Sequence, residues 1–203
     1  MKKEFSFYEF VGILVPSVTL LFFTELIIEL VYGKIIIDFS KIGDSIIFLI
    51  IAYGFGHILH AIGNFYENIF WKIYGGMPTM WLLKKNRFNE TLFDDEQTEK
   101  ISRKIYDKFG QKVGKDYGRD VYNWLSVKEG ITEKRIDIFN ANYSLFRGLT
   151  MSFYILTILI LYFIGWKLAF IPFALGILAN VRMVRFAKNY AKELFRTFQT
   201  LNM

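Results

Sequence analysis

The sequence predicts an all-α integral membrane protein: four transmembrane helices, a small helical cytosolic insert and a basic amphipathic C-terminal helix. Three observations lead there. Hydrophobic residues make up 53% of the 203 residues and are gathered into blocks instead of being scattered along amphipathic elements. The first three blocks are each near the ~20 residues that cross a bilayer as a helix, and the fourth is shorter. Basic residues concentrate in the segments between the second and third blocks and after the fourth, the bias that holds a segment in the cytoplasm.

The first block, 7–31, would give about 25 residues, or roughly 37 Å of helix, enough to cross with some tilt. Pro16 inside it is expected to produce a kink. The second block is 45–65. The third begins near Leu149 and ends at Gly165. After the connection Gly165-Trp166-Lys167, a shorter fourth block containing Pro172 runs to Val181. So tight a connection implies a helical hairpin; its second arm either crosses fully or re-enters. Lys2 and Lys3 precede the first block and no small-residue cleavage site follows it, so the segment reads as a retained anchor and not a signal peptide. The loop 32–44 balances Lys34 and Lys41 against Asp38 and Asp44. Both termini and the insert are therefore expected on the cytoplasmic side of the membrane. The domain plan is an N-terminal hairpin over 1–70, an insert over 71–146, a second hairpin over 147–181 and a tail helix over 182–203.

Within the insert, Asp94 with Gln97 three residues on resembles a capping box, and Ile101, Ile105 and Phe109 recur at i+4 until Gly110 offers a C-terminal cap. Tyr117, Val121 and Leu125 mark a second short helix. After Gly130, Thr132 is placed to cap a third, with Ile136, Phe139, Tyr143 and Phe146 on one side and continuity into the third span. The stretch Gly75-Gly76-Met77-Pro78 is a turn. It is not a phosphate loop, because no Gly-Lys-Ser/Thr follows.

The tail places Met183, Phe186, Tyr190, Leu194, Phe198 and Leu201 on one side and Arg185, Lys188, Lys192 and Arg196 on the other, with Arg182 at its start. Such a helix either lies on an anionic leaflet, where these basic residues meet membrane lipids, or docks on the insert or a protein partner. Nucleic acid is not expected as a partner, since no base-reading motif accompanies the charge.

The second block carries a polar stripe, Tyr53, His57, His60, Asn64 and Glu67, spaced i, i+4, i+7, i+11 and i+14 and so on one helical face. Both histidines of the chain belong to it. Polar groups at membrane depth need partners that lipid cannot supply. The stripe therefore either hydrogen-bonds to neighbouring helices as packing glue or lines a water-filled path in an oligomer, with histidines able to change charge. Ala52, Gly56 and Gly63 near the same side would let another backbone approach. Arg147, at the expected cytosolic mouth of the third span, is a candidate ion-pair partner for Glu67.

Several chemistries are not expected. The chain has no cysteine, which removes disulfides, thiolate metal sites and a cysteine nucleophile. No metal and no cofactor are expected: Glu25 and Glu29 lie near the outer end of the first span, well away in depth from His57. Two histidines without a paired Ser or Thr make a poor catalytic set, so the chain is not read as an enzyme and no catalytic residue is assigned.

The order of Phe5-Ser6-Phe7-Tyr8-Glu9-Phe10 with Pro16, then Gly56-His57, then Gly75-Gly76-Met77-Pro78, resembles small multi-span bacterial inner-membrane proteins, some of them components of anti-phage defence systems. The resemblance covers the spans and implies a membrane protein that perturbs or permeabilises the bilayer or senses events at it. Two functions are thus expected in competition. One is a homo-oligomeric effector or channel answering a cytosolic signal or protein partner. The other is a membrane anchor or scaffold recruiting a soluble partner through the insert.

Overall fold

The computed structural model describes residues 8, 10–82, 85–110, 117–128 and 134–200. Lys2, Lys3, the resemblance residues Phe5, Ser6, Phe7 and Glu9, the pair Gly130 and Thr132, and Leu201 lie outside the described residues. A π-helical turn, Phe10–Leu14, leads into α1, Val15–Tyr32. Helix α2 covers Ile42–Tyr74 and is followed by a 3-10 turn, Pro78–Met80. Then come α3, Asp95–Phe109, α4, Tyr117–Lys128, α5, Lys134–Phe163, and α6, Trp166–Thr200. No strand occurs among the described residues. Four helical stretches, Phe10–Tyr32, Ile42–Met80, Arg135–Phe163 and Trp166–Thr200, are long and apolar enough to cross a membrane.

The helix boundaries have local causes. Pro16 has no amide hydrogen for the preceding turn, and there the chain widens to π geometry; the Ser17 hydroxyl donates back to the carbonyls of Ile13 and Leu14, at 3.1 and 2.8 Å. Helix α1 stops at Gly33, whose φ of 64° is the left-handed conformation of a C-terminal cap. Between α5 and α6 only Ile164 and Gly165 remain outside the helices. The connection is shorter than the expected Gly165-Trp166-Lys167 because Gly165, at φ 131°, makes the reversal and Trp166 already starts α6. Pro172 sits inside α6 without ending it, and the fourth span and tail form one continuous helix.

The chain divides into two compact units, residues 1–67 with 141–184 and residues 68–140 with 185–203. The first is packed through small residues. A Cβ on Gly12 would meet Ser144 Oγ at 2.6 Å, one on Gly148 would meet Pro16 at 2.6 Å, and one on Gly56 would meet Ile13 at 2.8 Å. Ser152 donates to the Pro16 carbonyl at 2.8 Å. These contacts bring α1 against α2 and α5, around an apolar centre of Leu20, Ile27, Leu59 and Leu156.

The second unit is built on the tail. Leu194, Phe195 and Phe198 are fully buried, as are Ile101 and Val121, with Leu125 and Ile105 close behind. The Phe198 ring stacks on Phe109 and meets Trp124 edge-on, with centroids 5.9 and 5.4 Å away. Asp94 caps α3 by accepting from the Gln97 amide at 2.7 Å, and Gly110 ends it.

Candidate functional site

Helix α2 carries the polar stripe, and the structure divides it. On one side Arg147, from α5, is buried with only 7% of its side chain exposed, and it pairs with Glu67, 14% exposed. Its second terminal nitrogen lies 3.2 and 3.1 Å from the Nδ1 and Nε2 atoms of His60. A guanidinium only donates, so the imidazole nitrogen it meets must be the one carrying the lone pair. The aliphatic stem of Arg147 runs over Gly63, whose absent Cβ would lie 3.5 Å from Cγ. Tyr143, one helical turn earlier on α5, places its ring 5.6 Å from the guanidinium carbon. Tyr8 meets the His60 ring edge-on at 6.2 Å. His60, Glu67 and Arg147 thus form one closed polar cluster.

On the other side, His57 and Asn64 are exposed. Tyr53 is half-buried, and its ring holds His57 edge-on at 4.9 Å. The stripe spans an arc of about 80° at 100° per residue. That arc straddles the border between the packed and open faces of α2. Ala52 and Gly56, fully buried, lie on the packed face.

The tail residues go to different places. Lys188 donates to Glu90 at 2.7 Å and lies over the Trp81 ring at 5.6 Å. Glu90 also accepts from Asn86 Nδ2. The Lys188 hydrogen bond, and after it the Asn86 one, holds the Glu90 carboxyl below its ordinary range. Arg196 stands 6.0 Å from the Phe93 ring. Arg182, Arg185 and Arg196 are exposed and Lys192 is half-buried. The apolar face of the tail is occupied by the second unit itself, through Phe198 and its neighbours. The apolar face of the tail is thus docked on the insert.

Two features escaped sequence reasoning. Glu25, 7% exposed, accepts the Ile36 and Ile37 amides at 2.7 and 3.1 Å and so ties down the loop after α1. Asn180 donates to the Tyr66 hydroxyl, joining α6 to α2. Neither pairing has a spacing signal, because each joins segments distant in sequence. An apolar cleft of about 280 Å³, lined by Leu26, Ile27, Leu156, Ile160, Ile171 and Pro172 among others, opens beside α1. Among the described residues no group of three His, Asp or Glu is placed to hold a metal ion. The chain matches no family model, no curated protein and no solved structure.

Proposed function

We propose that this chain is a homo-oligomeric effector of the bacterial inner membrane, a channel-like protein that perturbs or conducts across the bilayer when its cytosolic helical unit receives a signal or a partner. The observation that carries the reading is the buried cluster of Arg147, Glu67 and His60, which joins α2 to α5 in a unit with an apolar centre. A buried ion pair is a weak source of stability, since apolar residues of equal volume often serve as well or better. Ionisable groups inside a transmembrane bundle are more often part of a path or a switch. Helices α2 and α5, which the cluster joins, each contribute residues to both compact units. A signal acting on the helical unit would therefore pull on the two helices that this pair holds together. Both termini lie in the cytoplasm in this reading, and the setting that the resemblance implies is anti-phage defence.

The test is inducible expression in a bacterial host carrying a membrane-potential dye, with wild type, Glu67→Gln and Arg147→Met at matched membrane levels. Glu67→Gln, which releases one arm of the pair, is expected to depolarise the membrane without any added signal. A second reading, a membrane anchor recruiting a soluble partner, is favoured by the exposed aromatic rings of Phe88 and Tyr106 on the helical unit, 59% and 46% accessible. Unchanged potential in every variant would favour that reading.

A further inference from the structure

The open face of α2 carries a heptad spacing of its own. Ile50, Gly54, His57, Ala61 and Asn64 follow one another at intervals of 4, 3, 4 and 3 residues, and all five are exposed. This is the seam of a left-handed helix pair, with Gly54 and Ala61 at one position of the heptad and Ile50, His57 and Asn64 at the other.

Gly54 is the odd residue. The other glycines away from the ends of the described helical stretches, at 12, 56, 63, 148 and 176, each have a neighbour inside 4 Å of an added Cβ, whereas Gly54 has none. A mid-helix glycine costs about 1 kcal/mol relative to alanine. Within one chain that cost has no packing return at position 54. Beside another helix it does, because small residues let two backbones approach in a bilayer.

His57 and Asn64 make the same demand in polar form. Both are exposed at positions that the membrane reading places among lipid tails, where a side-chain donor or acceptor left bare is costly. A neutral imidazole and a carboxamide each carry a donor and an acceptor, so each can bond to a copy of itself. Membrane proteins insert in one orientation, and a two-fold axis along the bilayer normal then sets every seam residue opposite its own copy. His57 would face His57 and Asn64 would face Asn64, with Gly54 and Ala61 allowing the approach.

We infer that this face of α2 is a parallel homodimer seam, its occupant a second copy of the chain. The inference rests on the membrane reading above and deepens it, giving the oligomer its contact. It also divides the stripe by where its contacts lie. His60 and Glu67 make theirs within one chain, and His57 and Asn64 make theirs across the pair.

The chain has no cysteine, so single cysteines report without interference. Gly54→Cys, Ala61→Cys, Ile58→Cys and Ile62→Cys would each be oxidised in native membranes, with carbonate extraction run in parallel. The expected result is a disulfide dimer at 54 and 61 and little at 58 and 62, which are exposed but off the seam. Adding Asn64→Ala to Ala61→Cys should lower the association constant about threefold, the effect of one interhelical hydrogen bond in a membrane. Gly54→Ile, at a site open within the single chain, should abolish the dimer while leaving the protein folded. Equal cross-linking at all four positions, or a product of some mass other than twice the chain, in protein that stays with the membrane pellet would overturn the seam alone. Extraction of the wild type by carbonate would overturn the membrane reading and the seam together.

Discussion

Arg147 and Glu67 stand 80 residues apart in sequence and form a buried ion pair whose side chains are 7% and 14% exposed. Each partner needs the other, because either alone would leave a charge without compensation in the interior. Glu67→Ala or Arg147→Ala should each destabilise the protein by about 3–5 kcal/mol, and the double variant by much less than the sum. Thermal unfolding in detergent of the four proteins of the cycle gives the interaction directly. Additive losses would mean that the pair contributes nothing as a pair.

Two glycines two residues apart should answer oppositely to the same change. Gly56→Ala would put a methyl 2.8 Å from the Ile13 carbonyl oxygen, an overpacking expected to cost about 1–3 kcal/mol. Gly54→Ala meets nothing and should stabilise the single chain by up to about 1 kcal/mol through helix propensity. Melting temperatures measured in detergent dilute enough to hold the chain monomeric would show the two shifts with opposite sign.

The tail is structural as well as charged. Phe198 is fully buried between Phe109 and Trp124, so Phe198→Ala should cost about 3–5 kcal/mol. Limited proteolysis should then cut within the helical unit far sooner than in wild type. Arg196→Ala, at an exposed site, should leave the cleavage rate nearly unchanged.

Acid should loosen the tail at a second point. The Glu90 carboxyl is held below its ordinary range by Lys188 and then Asn86. Its contribution is therefore present above the unfolded carboxylate pKa and is lost as the pH falls through the lowered folded value. Glu90 and Lys188 are 46% and 31% exposed, which limits the effect to about 0.2–1 kcal/mol. Lys188→Met should flatten this part of the acid limb of stability against pH, followed by thermal unfolding between neutral and acid pH. An acid limb identical to wild type would remove Lys188 as its cause.

The four long apolar helices were legible because block length and hydropathy are local properties. So were the Asp94 cap, the Gly110 stop and the run of α5 from the insert into the third block, each written within a few residues. The polar stripe was legible as a face but not as two faces. Helical spacing gathers Tyr53, His57, His60, Asn64 and Glu67 within one arc, yet only the position of Arg147 on another helix decides that His60 and Glu67 turn inward and His57 and Asn64 do not. The tail was ambiguous for a related reason. An amphipathic pattern shows that an apolar face must be covered; the aromatic rings of Phe109 and Trp124 that cover it come from elsewhere in the chain. Glu25 looked like an acid stranded in a span, because its partners are the backbone amides of Ile36 and Ile37, which leave no mark in a sequence.

The most direct measurement is ion flux through liposomes reconstituted with purified wild type and Glu67→Gln at equal, verified insertion. The account expects tight or slowly leaking vesicles with wild type and rapid leakage with Glu67→Gln. Equally tight vesicles with both, from protein that is folded and inserted, would contradict the effector reading and leave the chain as an anchor.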